Sequence, residues 1–142
     1  MRVSDILRGK GSEVATIRPT ATVAELIGEL GRHNIGAMVV AGPDGMAGIV
    51  SERDVVRRLD EVGAALLDRS VEQIMTVDVA TCDPDDKVDR LNAIMTERRI
   101  RHLPVVRDGE LVGIVSIGDV VKVRMRELQE NTEQLEAYIA HG

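Results

Sequence analysis

Gly48-Ile49-Val50-Ser51-Glu52-Arg53-Asp54-Val55-Val56 returns later in the chain as Gly113-Ile114-Val115-Ser116-Ile117-Gly118-Asp119-Val120-Val121. Each stretch runs from β-branched residues into a Ser-x-x-Asp step, which is how a strand hands over to a helix. The serine caps the first turn and the aspartate three residues on reaches back to it. Working outward from these blocks, residues 14–58 align with 79–123 without a gap, and a third of the positions are identical. Val14-Ala15-Thr16 repeats as Val79-Ala80-Thr81, Pro19 as Pro84, Val23 as Val88, Leu26 as Leu91 and Ile35 as Ile100. Two copies of one supersecondary unit, each too small to bury its own apolar face, predict a shared core around a pseudo-two-fold axis.

The periodicity changes in the same order within each copy. A short strand, Val14 to Ile17, ends at Pro19, whose fixed φ and missing N–H suit a turn. A helix follows, with Val23, Leu26, Ile27 and Leu30 on one face and Val88, Leu91, Ile94 and Met95 in the second copy. Next come two hairpins, Ala37 to Ala41 with Met46 to Val50, and Leu103 to Val106 with Leu111 to Val115, each turning through glycine. A helix after Ser51 or Ser116 completes a β-α-β-β-α unit. A shorter start, Val3 to Leu7 and Val71 to Met75, precedes each copy, and Asp60 to Ser70 reads as the connection. The expected division is residues 1–70 and 71–142. Beyond the second copy, Val121, Met125, Leu128, Thr132, Leu135 and Ile139 step by heptad spacing, predicting a helical extension that contacts a second copy of the chain or lies on its own core.

Composition narrows the function. The 142 residues are 44% hydrophobic and 30% charged, the balance of a folded globular domain. Tyr138 is the only aromatic residue, so stacking platforms for single-stranded nucleic acid are missing. A net charge of −6 further disfavours phosphate backbones, although Arg98, Arg99 and Arg101 form one local basic cluster. Cys82 is the single cysteine, which excludes a disulfide framework within the chain and a cysteine-rich zinc site. His33, His102 and His141 have no ligand-spaced partners, and neither a nucleophile elbow nor a phosphate-binding Gly-rich loop is present. No metal, no cofactor and no enzymatic activity are expected. No apolar run reaches bilayer length, and a cytoplasmic location is expected.

The paired blocks, with Ile100-Arg101-His102-Leu103-Pro104-Val105 upstream of the second, resemble the tandem CBS-domain module, named for cystathionine β-synthase. The resemblance spans nearly the whole chain and is to the stand-alone type. It implies a mixed α/β fold of two repeats, assembly as a homodimer, and regulation through adenosine-containing ligands bound in clefts between repeats: AMP, ADP, ATP, NAD(H) or S-adenosyl derivatives. In the family pattern the aspartates, here Asp54 and Asp119, accept from the ribose diol, while Ser51 and Ser116 face phosphate. The base would be edged by Thr16, Ile17, Arg18 and Pro19, by Gly36, Ala37 and Met38, and by Thr81, Cys82, Asp83 and Pro84. Family geometry also brings Arg101, His102 and Ser116 to the phosphate at the Asp54 site, and Gly36, Ala37 and Ser51 to the Asp119 site. The Asp54 site would therefore take the more anionic ligand. A downstream protein target is implied but not specified, and a scaffold that docks a partner through its C-terminal helix, with no ligand, is the competing expectation.

Overall fold

The computed structural model describes residues 1–141. Its elements, in chain order, are α1 (Val3–Lys10), β1 (Thr16–Ile17), α2 (Val23–His33), β2 (Ala37–Gly42), β3 (Gly45–Ser51), α3 (Glu52–Val62), α4 (Val88–Arg98), β4 (His102–Arg107), β5 (Glu110–Ser116) and α5 (Ile117–His141). Two 3-10 turns, Gly63–Asp68 and Val71–Gln73, lie between α3 and α4.

Local chemistry explains the boundaries. Thr22 Oγ1 accepts from the Glu25 N–H and caps α2, which ends at Asn34 in the left-handed conformation at φ 52°. The same left-handed exit recurs at Arg99, φ 55°, where an arginine occupies a conformation better suited to asparagine or glycine. In both cases the residue after the exit bonds back into the helix, Ile35 N–H to Leu30 O and Ile100 N–H to Met95 O. The turn between β4 and β5 places Asp108 at φ 52° and Gly109 at φ 79°, the paired positive values of a two-residue hairpin.

By chain contacts the molecule forms two compact units. One comprises residues 13–80 and 108–112, the other 1–12, 81–107 and 113–141. In the first, β1 pairs in parallel with β2, and β2 pairs antiparallel with β3. Met38, Val40 and Val50 from this sheet join Val23, Leu26 and Leu30 from α2, Val55 from α3 and Leu66 and Val71 from the 3-10 turns in one hydrophobic cluster. Val23, Leu26, Val40, Val50, Leu66 and Val71 are completely buried. In the other unit the buried side chains include Val3 and Ile6 of α1, Val88, Leu91 and Met95 of α4, Leu103, Val105 and Val115 of the β4–β5 pair, and Val120 and Val123 of α5.

Each short start docks through main-chain bonds of the same pattern. Val71 N–H donates to Ala21 O and Glu72 N–H to Pro19 O; Val3 N–H donates to Asp86 O and Ser4 N–H to Pro84 O. Residues 71–76 thus complete the unit built on the first copy, and 3–10 complete the unit that contains most of the second. The start that precedes a copy in sequence is not the one that packs with it.

Two sequence expectations are corrected. Val14 to Ile17 narrows to the two residues of β1, and its counterpart at Val79 to Thr81 reduces to a single parallel bridge, Cys82 to Val105. Ile27, expected on the buried face of α2, is 42% exposed. The connection expected at Asp60 to Ser70 consists of the end of α3, which runs to Val62, and the 3-10 turn that follows directly. The helical extension expected after the second copy is α5; its heptad positions Val121, Met125, Leu128, Leu135 and Ile139 are exposed, and it meets its unit's interior through Val120 and Val123.

The glycines that open the two repeated blocks are tested by adding one methyl group. A Cβ on Gly48 would stand 2.6 Å from Thr76 O, a backbone atom held by the Ile49–Thr76 bridge. A Cβ on Gly113 would meet the tip of the Leu7 side chain, which can rotate away. Gly48→Ala is therefore expected to destabilise the protein by about 1–3 kcal/mol and Gly113→Ala by less than about 1 kcal/mol, as read from urea unfolding midpoints. Equal losses would contradict this packing.

Candidate functional site

The two Ser-x-x-Asp turns close in the same way. The Ser51 N–H donates to Asp54 Oδ2 at 2.8 Å, the Ser51 hydroxyl donates to the same oxygen at 3.1 Å, and Ser51 Oγ accepts from the Asp54 N–H at 3.3 Å. At the second turn the corresponding distances for Ser116 and Asp119 are 2.9, 3.1 and 3.3 Å. Capping boxes are thus present as the sequence predicts. Every bond that the two carboxylates accept within the caps ends on Oδ2, so the capping arrangement commits one carboxylate oxygen and does not draw on Oδ1. A half-buried carboxylate at a helix start, with one oxygen outside the cap, is suited to accept from hydroxyl groups. The adjacent helix terminus supplies N–H donors and a positive dipole end for an anionic group.

Main-chain bonds fix what stands beside each turn. Glu52 N–H, the first of α3, donates to Gly36 O at 2.9 Å, and Ile117 N–H, the first of α5, donates to Arg101 O at 2.8 Å. Gly36 and Arg101 are aligned positions, so one turn has a residue without a side chain next to it and the other has an exposed guanidinium. His102 follows, half-buried, at the start of β4.

The turns differ in one respect that the sequence reading missed. Lys10, the last residue of α1, donates to Asp119 Oδ2 at 2.8 Å and to Ile114 O at 3.0 Å. Burial works against ionisation of Asp119, but the ammonium of Lys10 and the N–H and hydroxyl of Ser116 outweigh it and hold the carboxyl below its ordinary range. In the other unit the carbonyl of Ile49, aligned with Ile114, accepts instead from the backbone N–H of Thr76 at 2.8 Å. A lysine side chain therefore does at one turn what a backbone amide does at the other. Among the described residues Asp54 takes part in no ion pair. The sequence held a trace of this difference: matching Val3, Ile6 and Leu7 to Val71, Ile74 and Met75 sets Lys10 against Asp78.

The remaining sequence-predicted residues fall into two sets. Thr16 and Arg18 are exposed and Pro19 is half-buried, whereas Ile17 and Met38 have their side chains in the hydrophobic cluster, so only their main-chain atoms remain for recognition. Ala37 is buried at the start of β2. In the second set Thr81 is exposed and Pro84 half-buried. Cys82 is buried, and burial, with the nearby Asp86 and Asp83 charges, pushes its thiol up to about 12, the state of an inert core thiol. Asp83 is already engaged: its Oδ1 accepts from the Asp85 N–H and from Arg107, each at 2.9 Å, and these bonds lower its pKa. Among the described residues no group of three or more His, Cys, Asp or Glu is arranged to hold a metal ion, and no helix is long and apolar enough to cross a membrane.

Comparison with known proteins agrees with this architecture. The CBS domain family pattern matches residues 3–61 and 71–126. The CBS domain-containing protein CBSX3, mitochondrial, of Arabidopsis thaliana is 36% identical, over 99% of this chain and 72% of that protein. The crystal structure of a CBS-domain containing protein from Agrobacterium tumefaciens superposes with a TM-score of 0.85 at 46% identity, covering 87% of this chain and 92% of the other. The CBS domain pair of protein MJ0100, solved in complex with 5-methylthioadenosine and S-adenosyl-L-methionine, gives a TM-score of 0.79 at 27% identity, over 89% and 98% of the two chains. With the repeated blocks, the paired capping turns and both stretches of the family pattern in agreement, the chain belongs to the CBS domain family as a tandem pair.

Proposed function

We propose that this CBS pair is a regulatory module that binds adenosine-containing ligands and transmits occupancy to a partner protein. The observation that carries the reading is the repeated turn, in which the Asp54 and Asp119 carboxylates each commit Oδ2 to the cap and keep Oδ1 outside it. Asp54 and Asp119 are the ribose acceptors in this reading. Ser51, Ser116, Arg101 and His102 are the phosphate-facing groups, and the main chain at Thr16–Pro19, Gly36–Met38 and Thr81–Pro84 edges the base. The adenosine ligands of the MJ0100 pair support the ligand class, and the near absence of aromatic residues fits recognition of adenine by main-chain groups and aliphatic walls. AMP, ADP, ATP and NAD(H) are the first ligands to test. Binding without turnover, a homodimeric assembly and a cytoplasmic location complete the proposal. Transmission requires two arrangements of the protein that bind the ligand with different affinity, since equal affinity shifts nothing.

One observation favours a second reading. The distal part of α5 exposes Met125 (65%), Leu128 (66%), Leu135 (61%) and Ile139 (70%), an apolar stripe that a scaffold would present to a partner helix. The two readings separate cleanly by truncation.

The ligand reading predicts that an adenine nucleotide at a hundredfold excess over its dissociation constant raises apparent stability by about 2.7 kcal/mol, measured by thermal unfolding. Asp54→Ala and Asp119→Ala should each remove part of that gain, beyond the loss of about 1 kcal/mol that a broken cap causes without ligand. No response to any adenosine compound would return both aspartates to a purely capping role. Ending the chain after Arg126 should leave nucleotide binding by calorimetry within about twofold of the full chain, because α5 is buried only at Val120 and Val123. Loss of nucleotide binding in that truncated chain would tie the helix to the ligand site.

A further inference from the structure

The two turns share one capping geometry, but their charges are not alike. At the Asp54 turn the carboxylate stands with its serine; at the Asp119 turn the same carboxylate is paired with Lys10 across 109 residues of sequence. The ion pair is partly sheltered, with the Asp119 side chain 14% and the Lys10 side chain 36% exposed, so solvent screens it less than a fully exposed pair. Its two bonds, to Asp119 Oδ2 and Ile114 O, use two of the three N–H donors of the ammonium. The third donor and Asp119 Oδ1 both lie outside these bonds. That arrangement combines an acceptor for hydroxyls with a cation for a neighbouring anionic oxygen, and it cancels the negative charge that would otherwise repel such a ligand.

We propose that Lys10 is the specificity-determining residue of the Asp119 turn, giving it preference for an adenosine ligand that carries an anionic group, a phosphate, over the neutral nucleoside. The proposal rests on the reading of Asp119 as a ribose acceptor. It runs against the expectation from the arginine distribution alone, which assigns the more anionic ligand to the Asp54 site. The position is chemically marked in the fold as well: the start that packs in the other unit has Asp78 where this one has Lys10, so its counterpart cannot supply a cation.

The test uses the full chain with Asp54→Asn to weaken the other turn while keeping a capping acceptor at that position. Affinities for AMP and adenosine, which share base and ribose and differ in the phosphate, are measured by calorimetry with Lys10, Lys10→Met and Lys10→Arg. The expected result is that Lys10→Met lowers the AMP-to-adenosine preference by about tenfold through weaker AMP binding, and that Lys10→Arg retains it. A ratio unchanged within about twofold overturns the proposal. So does tighter binding of both ligands without Lys10, which would make the lysine a competitor for the carboxylate. A second arm needs no nucleoside: inorganic phosphate is titrated while the backbone amide resonances of residues 116–119 are followed by NMR. Shifts seen with Lys10 and lost in Lys10→Met, in spectra that otherwise match, support Lys10 as the anion-selecting group; failure of both adenosine and AMP to bind overturns the ligand reading and the nucleotide preference with it. Shifts that are absent with Lys10, or equal in the two proteins, overturn it.

Discussion

Both units depend on main-chain hydrogen bonds that dock a short start, two of them matched between the units. Val71 and Glu72 donate to Ala21 and Pro19; Val3 and Ser4 donate to Asp86 and Pro84. These bonds carry the apolar residues of each start into place, Val71 into the cluster with Leu26 and Leu66, and Val3 to complete burial on its own side. They also fix which atoms arrive beside each capping turn. Past Val71 the chain brings Thr76 to the carbonyl of Ile49 as a backbone bridge; past Val3 it brings Lys10 to the carbonyl of Ile114 as a side chain. Each carbonyl belongs to a half-buried strand residue and finds a donor, and the two copies meet that requirement with different chemistry. The electrostatic difference between the turns is therefore a by-product of how the sheet ends are satisfied.

Much of this architecture could be read from the chain because the determinants are local. The Ser-x-x-Asp caps act over three residues, the helix faces over four, and the Asp108–Gly109 turn over two, and each was visible as a pattern. Duplication helped further, since any element weakly marked in one copy could be checked in the other. The errors share a cause. The strand at Val79 to Thr81 shrank to one bridge because β-branched residues favour a strand only where a partner edge is available, and only Cys82 finds one. Ile27 sits at helical spacing yet is exposed, because the hydrophobic face of α2 is satisfied by Val23, Leu26 and Leu30. Lys10 was invisible for the same reason at longer range. Nothing near it in sequence announces an aspartate 109 residues away.

In the proposed function one motif serves stability and recognition without conflict. A carboxylate has two oxygens, and a capping box needs one of them. The helix start keeps its stabilising bond at Oδ2 whatever happens at Oδ1, so ligand binding does not require the cap to be given up. That separation explains why Ser-x-x-Asp can be retained at both turns on structural grounds alone, and why the presence of the motif does not itself distinguish an occupied site from a capping turn. The distinguishing information lies in the neighbours: Gly36 or Arg101 on the main-chain side, and Thr76 or Lys10 on the other.

The exchange of starts has a consequence for how such a chain can arise. Residues 1–70 hold the acceptors Pro19 and Ala21 but not their donors Val71 and Glu72, while 71–141 hold Pro84 and Asp86 but not Val3 and Ser4. A gene encoding one start and one repeat would leave those carbonyls unanswered within its own chain, yet two such chains could answer each other. Fusing them end to end turns that mutual completion into a covalent one. A segment of one start followed by one repeat is out of phase with the folding unit by one short stretch, since the first repeat is completed by the start that follows it.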